Sequence, residues 1–110
     1  MSHYLVRWQF STESVKALVA KPHDRVATAR SQVEGFGGKL HSYFFVLGEH
    51  DGVALCEFPD HISATAFSMS GAASGTFSRL ESIPLLTSQE AEAAMKKAHD
   101  TKTSFRPPNA

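Results

Sequence analysis

The stretch from Gly37 to Pro59 constrains the fold most strongly, because its pattern is that of two strands joined by a polar corner. Its first arm, Leu40 to Leu47, is rich in aromatic residues, and its second, Val53 to Phe58, is a short apolar run before a proline. Aromatic and β-branched residues favour strands, and the Gly-Glu-His-Asp-Gly segment between the arms is typical of a turn. The stretch therefore predicts an antiparallel hairpin on which the rest of the chain packs.

The segment before the hairpin predicts a strand and then helix. Residues 3–10 alternate as a strand does, with one face made of Tyr4, Val6, Trp8 and Phe10 and the other of His3, Leu5, Arg7 and Gln9. Apolar residues from Val15 to Phe36 recur at helical spacing, and Thr12 is placed to cap the helix. Because proline lacks an amide hydrogen, we expect a break near Lys21, with Pro22 in the first turn of the second piece.

The segment after the hairpin predicts a helix, a fourth strand and a short terminal helix. Asp60 is placed to cap the first of these helices, whose apolar line is Ile62, Ala66, Met69 and Ala73, with Phe67 beside it. Residues 76–86 alternate as a strand, and Pro84 restricts that strand to an edge or marks its end. Thr87 and Glu90 form a capping box, which opens an alanine-rich helix.

This order of elements, β, α, β, β, α, β and a terminal helix, predicts an α+β fold of the ferredoxin-like type. Such a fold has four antiparallel strands with the helices on one face, and its other face is left bare. A bare face that carries aromatic and aliphatic residues is normally buried by a second copy, so we expect a homodimer or a higher oligomer paired through its sheets. We expect residues 1–100 to form one domain and residues 101–110, which include Pro107 and Pro108, to form a mobile tail.

Charge and cysteine content exclude several classes of partner. The chain has eleven basic and eleven acidic side chains, so it has no net charge to attract nucleic acid or an anionic membrane. No segment has the length or composition of a membrane span or a secretion signal. The single cysteine, Cys56, lies in an apolar run and predicts an inert buried thiol in a reducing compartment. The sequence therefore predicts a cytoplasmic protein.

Three short motifs carry a resemblance to a known family. They are Gly37-Gly38-Lys39-Leu40, Leu47-Gly48-Glu49-His50-Asp51 and Glu57-Phe58-Pro59-Asp60. With them, residues 3 to 92 resemble the GYD domain family, small bacterial proteins placed among the dimeric α/β barrels. The chain departs from the family pattern at His50, where tyrosine is usual, and at Pro84, where a basic residue is expected. The resemblance implies the fold and the dimer, and it implies no particular activity.

His50 and Asp51, at the corner of the hairpin, are the first candidates for catalysis. An imidazole beside a carboxylate moves protons near neutral pH, and His41 is a further candidate for the same role. The alternative is that these residues only form the turn, with Asp51 bonded to backbone and His50 in water. Because neither a His pair at helical spacing nor a Cys pair is present, the sequence predicts no metal site, and no cofactor is expected.

The bare sheet face is the second candidate site. Six side chains are predicted to surround a ligand between two paired sheets: Arg7, His41, Tyr43, Phe45, Glu57 and Arg79. This mixture of apolar walls and a few polar groups is typical of a small-molecule site. The alternative is that these charged residues only form ion pairs within or between copies, which fix the register of the strands; they are Arg7, Glu57, Arg79 and Glu81.

The sequence thus supports three functional hypotheses. The first is binding of a small apolar or aromatic molecule between the sheets of a homo-oligomer. The second is a cofactor-independent isomerase or a monooxygenase-like enzyme, a hypothesis that depends on analogy between folds. The third is an oligomeric interaction module that has no ligand site. The size of the space enclosed between the sheets distinguishes the third hypothesis from the others.

Overall fold

Four strands and four helices follow one another in the order that the sequence predicts. The computed structural model describes residues 1–103 and 105–108 of the chain. In chain order the elements are β1 (Ser2–Phe10), α1 (Thr12–Ala20), α2 (Val26–Gly35), β2 (Lys39–Phe45), β3 (Gly52–Phe58), α3 (His61–Ala73), β4 (Phe77–Pro84) and α4 (Ser88–Asp100). In the described part of the chain, no helix is both long enough and apolar enough to cross a bilayer.

The strands form one antiparallel sheet in the order β2-β3-β1-β4. This order, with helices packed on one face, confirms the ferredoxin-like α+β fold. The hairpin of β2 and β3 is present, but it lies at one side of the sheet. The expectation that the rest of the chain packs on the hairpin is therefore wrong, because β1 pairs with both β3 and β4 and is the strand that joins the two sides.

The core lies between the sheet and helices α1 to α3. Alternate side chains of β1 and β3 point into it and are buried, as their spacing predicts; they are Tyr4, Val6, Trp8, Phe10, Ala54, Cys56 and Phe58. Val33 of α2 and Ala64 of α3 cover them from the helix side. Full burial of one large apolar side chain contributes about 1.5–3 kcal/mol, so this layer dominates the stability of the chain.

A β-bulge in β2 changes which side chains share a face. The pairing of β2 with β3 shifts between Leu40 and Ser42, so one extra residue, His41, is accommodated there. Leu40 and Tyr43 consequently both pack towards the core, and His41 lies on the opposite, open face. The prediction that Tyr43 and Phe45 share a face with His41 is therefore wrong. Strict alternation places them together, and the bulge separates them.

The boundaries of the first helical region differ from the sequence prediction in two places. Ser11, and not Thr12, caps α1, since its hydroxyl accepts the amide of Ser14 at 3.2 Å. Pro22 lies in the connection between α1 and α2 and not in the first turn of α2. That helix begins after Arg25 and is preceded by a turn in which Asp24 accepts the amide of Val26 at 2.9 Å.

The first turn of α3 is capped by Asp60, as predicted. Its carboxylate accepts the amide of Ser63 at 2.7 Å, and this hydrogen bond is the main reason that the pKa of Asp60 lies below its ordinary value. The predicted apolar line of this helix is wrong, because Ile62 and Met69 are exposed. Ala64 and Phe67 contact the core instead.

Replacing Asp60 with asparagine is expected to remove part of the pH dependence of stability. The lowered pKa means that the ionised cap stabilises the fold above the ordinary pKa of aspartate, and that this stabilisation is lost as the pH falls through the lowered pKa. Asparagine caps a helix about as well but does not titrate. Thermal unfolding between acidic and neutral pH measures the difference. A wild-type and an asparagine curve that fall in parallel below the pKa of aspartate would contradict this assignment.

Helix α4 is well formed but buries no residue in the described part of the chain. The predicted capping box is present, with Glu90 accepting the amide of Thr87 at 2.9 Å and Thr87 accepting that of Glu90 at 3.1 Å. One side of the helix is an apolar stripe of Ala91, Ala94, Met95 and Ala98. The protruding helix contributes to a radius of gyration of 17.8 Å, against about 13 Å for a compact chain of this length.

The predicted tail, residues 101–110, falls partly outside the described residues, which omit positions 104, 109 and 110. The described positions, 101–103 and 105–108, form neither a helix nor a strand, and Phe105 is exposed. The mobility of this tail stays a prediction.

Candidate functional site

The face of the sheet opposite the helices carries the polar side chains of interest. Strand pairing arranges this open face in rows that run across the strands. His3, His41 and Glu57 occupy one end. Four residues further along the central strands, about 13 Å away, lie Arg7 and Glu81. The sheet thus holds two polar groups at a fixed separation on one surface.

An apolar band separates these two polar groups. Leu5 of β1 pairs with Leu55 of β3 on one side and with Ile83 of β4 on the other. Phe44 and Val53, which pair with each other in the row of Arg7, continue the apolar surface to the β2 edge. The band residues of β1, β3 and β4 are half-buried, whereas Phe44 is 63% exposed. The open face is therefore an apolar surface with charged ends.

At one end, the Glu81 carboxylate accepts a hydrogen bond from Arg7 and forms a salt bridge with Arg79. Arg7 Nη2 lies 2.9 Å from Glu81 Oε2, and Arg79 Nε lies 3.2 Å from Glu81 Oε1. The hydrogen bond from Arg7, followed by the charges of both arginines, lowers the pKa of Glu81. Two positive groups share one carboxylate, so this end of the face keeps an excess of positive charge.

At the other end, His3, His41 and Glu57 come together from three neighbouring strands. His41 Nε2 lies 2.6 Å from Glu57 Oε2, and His3 Nε2 lies 3.9 Å from Glu57 Oε1. The two imidazole rings stack, with their centroids 5.9 Å apart. The hydrogen bond from His41 lowers the pKa of Glu57, and the charges of His3, His41 and Lys39 act in the same direction. This is a carboxylate held between two imidazoles and partly open to solvent.

The structure brings four of the six predicted ligand-binding residues onto this face: Arg7, His41, Glu57 and Arg79. The other two lie on the helix side. Tyr43 stacks on the indole of Trp8 at 5.0 Å between centroids, and Phe45 packs beside Phe10 at 5.8 Å. Tyr43 and Phe45 therefore do not line a site on the open face.

The predicted pair of His50 and Asp51 is divided between two environments. The Asp51 carboxylate accepts the amide of Phe10 at 2.8 Å, so it fixes the end of β1. His50 is half-buried and lies close enough to Glu81 to contribute to the lowering of its pKa. In the described part of the chain no hydrogen bond joins the two side chains. The turn interpretation thus accounts for Asp51, whereas His50 lies towards the charged end of the open face.

One residue of this face, His3, is not among the predicted site residues, and the structure places its ring beside Glu57. The prediction that Glu81 is an ion-pair partner is confirmed, because its carboxylate contacts both Arg7 and Arg79. The alternation of β1 does place His3 with Leu5 and Arg7. The missing signal was the pairing of β1 with β3, which sets His3 opposite Glu57.

Cys56 and two concave regions lie on the helix side. Burial raises the pKa of the Cys56 thiol to about 12, which confirms the prediction of an inert buried cysteine. A small cavity of about 30 Å³ beside Trp8, Arg25 and Tyr43 has room for about two water molecules. A groove of about 310 Å³ between α2 and α3 is lined by uncharged polar and aromatic side chains. Neither region contains the charged residues described above.

The sheet order and the one-sided helices define the chain as a ferredoxin-like α+β protein. A family model described as the GYD domain matches residues 4–95, which span nearly all of the sheet and most of α4. The chain therefore belongs to the GYD domain family. A search of curated proteins found no match, and a search of solved structures also found none.

Proposed function

We propose that the protein binds a small apolar or aromatic molecule between the open sheet faces of a homo-oligomer. The observation that carries this proposal is the apolar band between the two groups of charged side chains. Leu5, Leu55 and Ile83 give a ligand an apolar wall, and Arg7 with Arg79 gives it a polar anchor. Sites for small molecules combine these two features, with few polar groups and mostly apolar lining.

The arginine end favours a ligand that carries an acidic group. Arg7 and Arg79 share the single carboxylate of Glu81, so an additional anion is attracted there. A hydrophobic acid or a phenolate combines the two required properties.

A second copy of the chain is the occupant that completes the site, because a flat sheet face encloses no ligand alone. The chain has no net charge, so two copies do not repel one another at long range. A face of four strands and eight residues measures roughly 19 by 26 Å. Its area is below the roughly 800 Å² per partner of a standard interface. The apolar stripe of α4, which is not buried by any other described residue, supplies further area. An isolated helix of this length gains little stability without a partner.

Replacing Arg7 with alanine is expected to weaken ligand binding at least tenfold. A hydrogen bond to a charged group contributes about 1.5–3 kcal/mol, which corresponds to roughly 10- to 100-fold in affinity. The measurement is isothermal titration calorimetry with a ligand selected from a thermal-shift screen of hydrophobic acids and phenolics. The matched control is Arg30→Ala, since Arg30 is exposed on α2 and lies away from the open face.

Two outcomes would overturn the proposal. One is that no compound of the screen stabilises the protein, which would favour an interaction module without a ligand site. The other is that a ligand binds equally well to Arg7→Ala but is blocked by Ser70→Trp, which fills the groove between α2 and α3. The site would then be that groove and not the sheet face.

Catalysis without a cofactor is a second candidate function, favoured by the contact between His41 and Glu57. The two side chains lie 2.6 Å apart on the open face, with 39% of the His41 side chain exposed. An imidazole held by a carboxylate is suited to general acid and base catalysis, which increases a reaction rate by about 10²- to 10⁴-fold. We expect His41→Gln to abolish turnover of the screened ligand while its binding is retained. A ligand that is bound but never converted would contradict this function.

A further inference from the structure

We propose that His3, His41 and Glu57 form a binding site for a divalent transition metal ion, with zinc as the reference ion. One imidazole comes from β1, one from β2 and the carboxylate from β3. The nearest ligand atoms of the three side chains all lie within 4.8 Å of one another. This proposal does not depend on the small-molecule function, because the three side chains belong to one copy of the chain.

The distances fit a metal after small side-chain rotations. Zinc binds imidazole nitrogen and carboxylate oxygen at about 2.0–2.2 Å, so neighbouring ligand atoms of a tetrahedral ion lie about 3.3–3.5 Å apart. The pair of His41 and Glu57, at 2.6 Å, must open slightly, and the pair of His3 and Glu57, at 3.9 Å, must close slightly. Both of these changes are below about 1 Å, and the ligand atoms of His3 and His41, which lie within 4.8 Å, must approach by at most about 1.5 Å. Rotation about the side-chain bonds supplies displacements of this size.

The backbone explains why these side chains meet. His3 and Glu57 are direct partners in the pairing of β1 with β3, so their side chains emerge side by side from two central strands. His41 is the residue accommodated by the bulge of β2. Without the bulge, alternation back from Tyr43 would turn His41 towards the helices. Bulges often redirect a side chain next to a functional site, and this bulge directs His41 onto Glu57.

The ligand set indicates the class of ion. Two neutral imidazoles and one carboxylate suit zinc and the neighbouring first-row ions, whereas calcium and magnesium prefer oxygen ligands alone. Three protein ligands leave at least one coordination position for water or another group. His3 and His41 are 38% and 39% exposed in their side chains, so an ion reaches the site from solvent.

Lys39 limits the affinity of the site. It pairs with Glu57 across β2 and β3, and its charge already acts on that carboxylate. A metal must also displace the hydrogen bond between His41 and Glu57. We therefore expect micromolar binding and not the tighter binding of a structural zinc centre. Replacing Lys39 with methionine is expected to strengthen binding several-fold, because it removes the competing positive charge.

The test is zinc titration of the untagged full chain by calorimetry, together with the ligand-field absorption of bound cobalt. We expect one ion per chain. We expect each ligand variant to weaken zinc binding at least tenfold; the variants are His3→Ala, His41→Ala and Glu57→Gln. Loss of a residue that only hydrogen-bonds to a metal ligand already weakens metal binding about 10- to 100-fold. The matched control is His23→Ala, since His23 is exposed in the connection between α1 and α2 and should leave binding unchanged.

A second measurement keeps the test valid if a variant does not fold. In the wild-type protein, zinc should shift the imidazole proton resonances of His3 and His41 and leave those of His23 and His99 in place. The proposal is overturned if zinc binds no more tightly than about 1 mM, an affinity that corresponds to about 4.1 kcal/mol. It is also overturned if binding survives in all three ligand variants, or if the shifted resonances belong to other histidines.

Discussion

Replacing Gly52 with alanine is expected to lower the free energy of unfolding by about 2–3 kcal/mol, near the upper end of the usual cost of overpacking. A methyl group at this position would overlap the indole ring of Trp8. That ring is 3% exposed and cannot move aside, because it stacks on Tyr43 and contacts Phe10 and Phe77 edge-on. Gly52 therefore leaves the space that the Trp8 indole occupies where β3 pairs with β1.

Urea unfolding followed by tryptophan fluorescence measures this effect directly, since Trp8 is the single tryptophan of the chain. The matched control is Gly48→Ala, in the connection that leads from β2 to β3. There the nearest atom to the new methyl group, Val46 Cγ1, is at an ordinary contact distance of 3.7 Å. We expect the control to stay within about 0.5 kcal/mol of wild type, as surface substitutions usually do. Equal stability of both variants would show that Trp8 has an alternative position.

Replacing Leu55 with arginine is expected to weaken self-association at least a hundredfold. Leu55 lies at the middle of the apolar band, between Leu5 and Ser42. In the proposed oligomer this position faces the partner, and an unpaired charge buried there costs about 3–5 kcal/mol. A hundredfold change in the association constant corresponds to about 2.8 kcal/mol, so the expected cost is sufficient. In a single copy Leu55 is only half-buried and away from the core, so the variant is expected to fold.

Light scattering across a dilution series measures this change in association, and circular dichroism checks the fold. The matched control is Ile62→Arg, because Ile62 is 81% exposed on α3, on the other side of the sheet. We expect Ile62→Arg to associate as wild type does. Dissociation by Ile62→Arg, with Leu55→Arg unaffected, would instead place the contact between copies on the surface formed by Ile62 and Met69.

The element order was predictable from the sequence because local signals agree with the fold. Alternation in β1 indicated which side chains are buried, and it did so correctly from Tyr4 to Phe10. The caps at Asp60 and Thr87 were also found, because a side-chain acceptor three residues before a free amide is a local feature. Gly37, with a φ of 78°, ends the α2 region as glycine there predicts.

The composition of the site was predictable only in part because it depends on strand register. Arg7 and Glu57 lie on the face that alternation predicts, because β1 and β3 pair without a break over these residues. Arg79 also lies on this face, although the pairing of β1 with β4 shifts between Arg79 and Phe77, so that Phe77 packs on the core. Tyr43 and Phe45 were misplaced because a bulge has no clear sequence signal, and one inserted residue reverses every position that follows. His3 was missed because its contact with Glu57 joins residues that are far apart in the chain.

Sedimentation equilibrium of the unmodified chain at micromolar concentration tests the central claim most directly. That claim is that a second copy covers the open sheet face. We expect a species of at least twice the 12.0 kDa mass of the chain. A single species of 12.0 kDa throughout that range would contradict it, because the apolar band of Leu5, Leu55 and Ile83 would then face water and enclose no ligand.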